Sequence, residues 1–201
     1  MKTTYYVQVA LALFAGACLY SVVAANAQDP AARPLPAPAG PAVTKPVQQV
    51  GFWVIGIYIH TNNEAEMKEG SAIPALWHRF MEQNVASSIP NRIGDETYVV
   101  YSDYLPDHGG SYTYLIGAKA SSTTNVPSGM IVREVPTGQY VIVSSEKGPI
   151  PVVVPAVWKN IWTMGDGELG GKRALKADYE VYDVKTLDPH NAQVDVHIGV
   201  E

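Results

Sequence analysis

The residues of this chain best placed to do chemistry lie in one short run near the C-terminus, Asp178 to Asp183 (DYEVYD). Asp178, Glu180 and Tyr182 alternate along it, and alternation on a strand puts side chains on one sheet face. A carboxylate held among aromatic faces suits a lipophilic organic cation, because Coulomb attraction adds to cation–π contact. The aromatic residues for such a site are present: Trp53, Trp77, Tyr98, Tyr101, Tyr112, Tyr114, Tyr140, Trp158 and Tyr182. Tyr182 shares the phase of Glu180, and Tyr112 and Tyr114 share a phase on a neighbouring strand. Tyr98 and Tyr179 fall in the opposite phase to Tyr101 and Tyr182. Trp77 and Trp158 fall on predicted helices, where an aromatic serves core packing as readily as a ligand wall. On residues alone, Glu180 is either the charge of a groove or a solvated strand residue.

Other chemistries lack their residues. His60, His78, His108, His190 and His197 are scattered, with no pair at helical ligand spacing, so neither a metal site nor a cofactor is expected. There is no Gly-x-Ser-x-Gly and no phosphate-binding glycine loop; GDGELGG at 165–171 follows a helix instead of opening one. A formal net charge of −5 gives nothing basic to draw nucleic acid. Acid–base catalysis stays open, since Tyr182 and Asp178 lie beside Glu180 as proton partners.

The elements that must position these groups form a repeat. At a constant offset of 81 residues Pro74, Ala75 and Trp77 fall on Pro155, Ala156 and Trp158. The same offset carries Arg92 to Arg173, Tyr98 to Tyr179, Tyr101 to Tyr182 and Asp107 to Asp188. A fixed register through helix-like, loop-like and strand-like stretches marks two copies of one unit, residues 48–120 and 130–201. The telling departure is Val99, whose counterpart is Glu180.

Each copy reads as β-α-β-β. In the first, a strand over 48–61 precedes a helix over 71–83, then a strand pair over 96–104 and 111–120. In the second, the strand spans 131–144, the helix 155–164, and the closing strands 178–184 and 193–200. There the offset becomes 82, Ile116 matching Ile198 and Gly117 matching Gly199. Two such units predict an α+β fold: a mostly antiparallel sheet with both helices on one face.

Ahead of this unit, Lys2, an apolar stretch from Val9 to Val23 and the triplet Ala25-Asn26-Ala27 form a secretory signal pattern with cleavage after Ala27. The stretch is short for a membrane span, and no basic cluster follows it. Cys18, the only cysteine, precedes more apolar sequence, where a lipid-modified N-terminus would turn polar. Residues 28–47, rich in Pro and Ala, read as a semi-extended linker. The expectation is an exported, periplasmic protein with no membrane association after cleavage.

The stretches GFWVIGIYIHTNN, IPALWHRF, ETYVVYSDY followed by SYTYLIGAKA, VPTGQYVIVSSEKG, VPAVWKNIW and KRALKADYEVYD together resemble the GyrI-like small-molecule-binding domain, also called the bacterial transcription activator effector-binding domain. The resemblance covers residues 49–201. It implies a ligand pocket between the copies, with the family's pocket Glu falling on Glu180. It also implies aromatic walls, for which Tyr182, Tyr101, Trp77, Trp158, Tyr112 and Tyr114 are the candidates. The implied partner is a small-molecule ligand, cationic or aromatic, and not nucleic acid. No helix-turn-helix precedes the domain in this sequence, so the family's transcriptional role is not expected of an exported chain. Two alternatives stand beside a binding module: a hydrolase of strained electrophiles acting through Glu180 and Tyr182, as in some proteins resembling this family, and an exported protein-interaction module.

Overall fold

The computed structural model describes residues 42–105 and 110–201. The signal pattern over 1–27, most of the predicted linker and the central residues of the PDHGG turn lie outside the described residues. Among the described residues nine strands form one sheet in the order β1-β7-β9-β8-β4-β5-β3-β6, with β2 also paired to β7. In chain order the strands are β1 (Ala42–Val43), β2 (Val47–Gln49), β3 (Phe52–Thr61), β4 (Thr97–Leu105), β5 (Ser111–Ala120), β6 (Ile131–Val135), β7 (Gly138–Ser144), β8 (Ala177–Tyr182) and β9 (Asp195–Val200). The described helices are α1 (Asn63–Glu66), α2 (Ala72–Glu82), α3 (Val85–Ser88), α4 (Ile150–Thr163) and α5 (Asp166–Leu169). Every strand pairing is antiparallel, so the fold is α+β.

The order β-α-β-β recurs in each half, and both long helices cover the same sheet face. Leu76, Trp77 and Phe80 of α2 and Val157, Trp158 and Ile161 of α4 share one core with Ile57, Val99, Ile116, Val141 and Ile198. These positions alternate along the strands, which is the pattern a one-sided apolar face requires. The opposite face carries a smaller core of Val54, Val100, Leu115, Val135, Tyr140 and Tyr179.

The long opening strand predicted in each copy is broken. Residues 48–61 split at Val50-Gly51, and 131–144 split at Pro136-Thr137. Proline has no N–H for a ladder, and the Gly51 amide leaves the ladder to donate to the Thr137 hydroxyl at 2.8 Å. Each broken strand thereby pairs twice with its counterpart, Phe52 opposite Val135 and Val47 opposite Tyr140. Part of the segment read as linker is strand, since Ala42 and Val43 pair with Ser144 and Val143.

The second helix starts at Ile150, not at Pro155. Pro151 lies in its first turn, where the missing N–H costs nothing, and Pro155 lies inside it. Buried Ile150, Val153, Val157, Trp158 and Ile161 supply its helical period. The last strand is shorter than 193–200, but Val194, Val196, Ile198 and Val200 are all buried on one face as its alternation requires.

The two copies meet at the centre of the sheet, where β4 pairs with β8. Val99 stands directly opposite Glu180, with Val100 opposite Tyr179 and Tyr101 opposite Asp178. In an antiparallel pair, residues related by the repeat face each other only at the two-fold axis. That axis therefore passes through Val99 and Glu180.

Candidate functional site

Between α2 and α4, over β4, β5 and β8, lies a groove of about 1090 Å³. Its walls include all six aromatic candidates: Trp77, Tyr101, Tyr112, Tyr114, Trp158 and Tyr182. They reach it because odd residues of β4 and even residues of β5 and β8 point to the helix side. Each tryptophan packs on the other copy's tyrosine. Tyr101 and Trp158 have ring centroids 4.5 Å apart, and Trp77 and Tyr182 have theirs 4.9 Å apart. The wall is thus composite, and neither copy could build it alone.

Glu180 lies beneath this wall with 0% of its surface exposed. Its Oε1 accepts from the Tyr101 hydroxyl at 2.7 Å and the Trp158 indole N–H at 2.6 Å. Its Oε2 accepts from the Tyr182 hydroxyl at 2.7 Å. The twin tyrosines of the repeat thus converge on one carboxylate at the axis. Trp77, the twin of Trp158, donates instead to the Tyr114 hydroxyl at 2.9 Å.

Burial pushes the Glu180 carboxyl above its ordinary range, and the three donors pull it back in part. Among the described residues no lysine, arginine or histidine is paired with it. Tyr101, Tyr114 and Tyr182 are held well above the usual phenol range by burial and then by the nearby Glu180 charge, so all three remain neutral. A buried carboxylate with three hydrogen bonds and no counter-cation is satisfied in geometry but uncompensated in charge.

Asp178, the in-phase neighbour, is committed elsewhere. It is fully buried, accepts from the Tyr104 hydroxyl at 2.6 Å and the Gly199 amide at 3.0 Å, and is paired with Arg173. It is therefore no proton partner for Glu180. Three aromatic residues counted in the sequence stand apart from the groove. Trp53 is exposed, and Tyr98 and Tyr140 belong to the core of the opposite sheet face, as their strand phase dictates.

The groove also holds residues that sequence reasoning passed over, among them Tyr104, Lys159, Trp162 and Arg173. Trp162 carried a signal, because it follows Trp158 at helical spacing on α4. Arg173 carried another, as the counterpart of Arg92. Glu66 sits at the rim, its carboxylate accepting from the amides of Ala72 and Ile73 and so capping α2 in place of Ser71, which makes no side-chain cap.

Residues 47–200 match the family described as Cass2: Integron-associated effector binding protein. YobU of Bacillus subtilis (strain 168) is 29% identical over 147 residues, 73% of this chain and 90% of YobU. The crystal structure of the integron cassette protein VCH_CASS2, from the mobile metagenome of Vibrio cholerae, is 26% identical with a TM-score of 0.60; the match covers 81% of this chain and 96% of that one. The structure of SAV2435 bound to tetraphenylphosphonium shares the fold at 12% identity, with a TM-score of 0.63 over 81% of this chain and 94% of that one. The chain belongs to the Cass2 family of integron-associated effector-binding proteins and is a small-molecule-binding domain of GyrI-like fold.

Proposed function

We propose that the groove binds a lipophilic, aromatic organic cation, with Glu180 as its countercharge and Trp77, Tyr101, Tyr112, Tyr114, Trp158 and Tyr182 as its walls. The observation that carries this reading is the fully buried Glu180 carboxylate, held by three neutral donors and, among the described residues, paired with no cation. Leaving water costs such an ion several kcal/mol, and an arriving cation offsets that cost. The aromatic faces add cation–π attraction worth about 2 kcal/mol or more once desolvated. SAV2435 is described as bound to tetraphenylphosphonium, a lipophilic cation, which supports the same ligand class here. Binding is favoured over hydrolysis because both Glu180 oxygens are engaged by donors and Asp178 is tied to Arg173. We further propose that the protein acts outside the cytoplasm, in the periplasm, a reading supported by the signal pattern over 1–27.

Calorimetric titration with tetraphenylphosphonium and with neutral triphenylphosphine oxide tests the reading. Glu180→Gln keeps the side-chain shape and removes the charge. It should weaken the cation by about 2–4 kcal/mol, the scale for unpairing a desolvated charge, and leave the neutral ligand nearly unchanged. Equal losses for both ligands would return Glu180 to a purely structural role.

A further inference from the structure

The groove has a second pole. Asp178 and Glu180 point the same way from β8, two residues apart, which is about 6.6 Å at strand rise. Asp178 carries no free charge to the groove, because Arg173 neutralises it and Tyr104 and the Gly199 amide fill its remaining acceptor positions. Arg173 is placed differently. It lines the groove with 23% of its side chain exposed, while its Nε is buried and has no hydrogen-bond partner among the described residues. Its guanidinium stands 6.0 Å from the centre of the Tyr104 ring, which also lines the groove. Lys159 lines the groove too, one residue after the tryptophan that touches Glu180. It is exposed, and it forms no ion pair among the described residues.

The groove therefore has a buried carboxylate beneath its aromatic wall, and two basic side chains line it: Arg173, already paired with Asp178, and Lys159, which has no such partner among the described residues. Arginine offers five donors in a planar fork that matches a carboxylate; Asp178 takes up part of that fork, and a lone organic cation would leave the rest idle. We propose that the preferred ligand is amphoteric: an aromatic cation bearing a carboxylate or similar oxyanion. Its cationic centre sits over Glu180 and its oxyanion is received by Arg173 and Lys159. This rests on the cation reading of Glu180 given above and adds the anionic group that reading leaves out. It also separates this site from one that merely collects greasy cations, because a zwitterion presents no net charge to attract from a distance and is selected by spacing alone.

Two dyes with one xanthene cation make the test. Rhodamine 110 carries a free benzoate, and rhodamine 123 carries the same group as its methyl ester. Fluorescence anisotropy with the wild-type protein should show rhodamine 110 bound at least fivefold tighter than rhodamine 123. The ratio of the two affinities is the readout. Lys159→Met should bring it down toward one. Arg173→Met combined with Asp178→Asn, which keeps the buried site neutral, should do the same. Glu180→Gln should weaken both dyes and leave the ratio above one. A wild-type ratio at or below one, or a ratio that both cationic-pole variants leave unchanged, overturns the amphoteric ligand while leaving the cation site intact. Failure of both dyes to bind, or indifference of both to Glu180→Gln, overturns the cation reading and this inference with it.

Discussion

Cation binding should be linked to the release of one proton, and pH is the cleanest perturbation of it. Burial holds the Glu180 carboxyl above its ordinary range in the unliganded protein. A cation needs the ionised form, so below the folded value each bound cation must expel the Glu180 proton. Affinity should then rise tenfold per pH unit, about 1.36 kcal/mol, and flatten above that value. The expected slope is one proton, that of Glu180. The phenols of Tyr101, Tyr114 and Tyr182 lie well above the range by burial. Calorimetry with tetraphenylphosphonium from pH 4.5 to 8, in two buffers of different ionisation enthalpy, measures affinity and proton release together. Triphenylphosphine oxide and Glu180→Gln are the controls, and both should be flat with pH. Affinity for the cation that is constant across this window, with no proton released, refutes the coupling between the buried carboxylate and the ligand.

The unliganded protein should show the opposite sign in its stability. Glu180 has a raised folded value, so its contribution is fully present below the unfolded value, about 4.3, and is lost as pH rises through the folded one; Glu180→Gln should therefore melt at the same temperature as wild type or higher at pH 7, and a clear drop would contradict this. Tyr101→Phe and Tyr182→Phe each remove one donor from the carboxylate, and each should weaken the cation by about 1.5–3 kcal/mol, the scale of a hydrogen bond to a charged group; calorimetry showing an effect for one twin alone would break the symmetric account. Glu66→Ala removes the cap on α2 and should cost about 1 kcal/mol in urea unfolding, an unchanged midpoint arguing against that capping role. N-terminal sequencing of the protein from its own host should begin at Gln28, and a mass retaining residues 1–27 would rule out export by cleavage.

Much of this site was legible because strands write their faces into the sequence. The alternation Asp178, Glu180, Tyr182 put three side chains on one face, and the repeat placed Tyr101 beside them from the other copy. Phase alone also sent Tyr98 and Tyr179 to the opposite core. What escaped has physical causes. The start of α4 was hidden because IPVVVP is β-branched and proline-rich, and its helical period emerges only when Val157, Trp158 and Ile161 are added. The break at Gly51 depends on its bond to distant Thr137, which no local window records, whereas Pro136 was a local mark inside the second strand. The registers of the two halves also differ. Val99 faces Ile116 in the first, whereas Glu180 faces Val196 in the second, although the sequences align Ile116 with Ile198. The pairing of Arg173 with Asp178 was invisible as well, since a lone arginine carries no sequence mark of its partner.

The repeat explains why the site holds one carboxylate and not two. On a two-fold axis between antiparallel strands, equivalent residues are cross-strand neighbours, with Cβ atoms about 4.5–5.5 Å apart. Val99 and Glu180 occupy those positions, and both are fully buried. A glutamate in both copies would set two carboxylates against each other in a dry core, where each ion already costs several kcal/mol and like charges directly opposite destabilise the pair. An aliphatic residue in both would leave the converging hydroxyls of Tyr101 and Tyr182 and the Trp158 N–H without an acceptor. One charged and one apolar residue is the combination that satisfies all three donors without repulsion. The asymmetry between Val99 and Glu180 is thus what a two-fold floor demands of a charged site. It also leaves that floor with a single negative charge, which under the proposed function the ligand's cation completes.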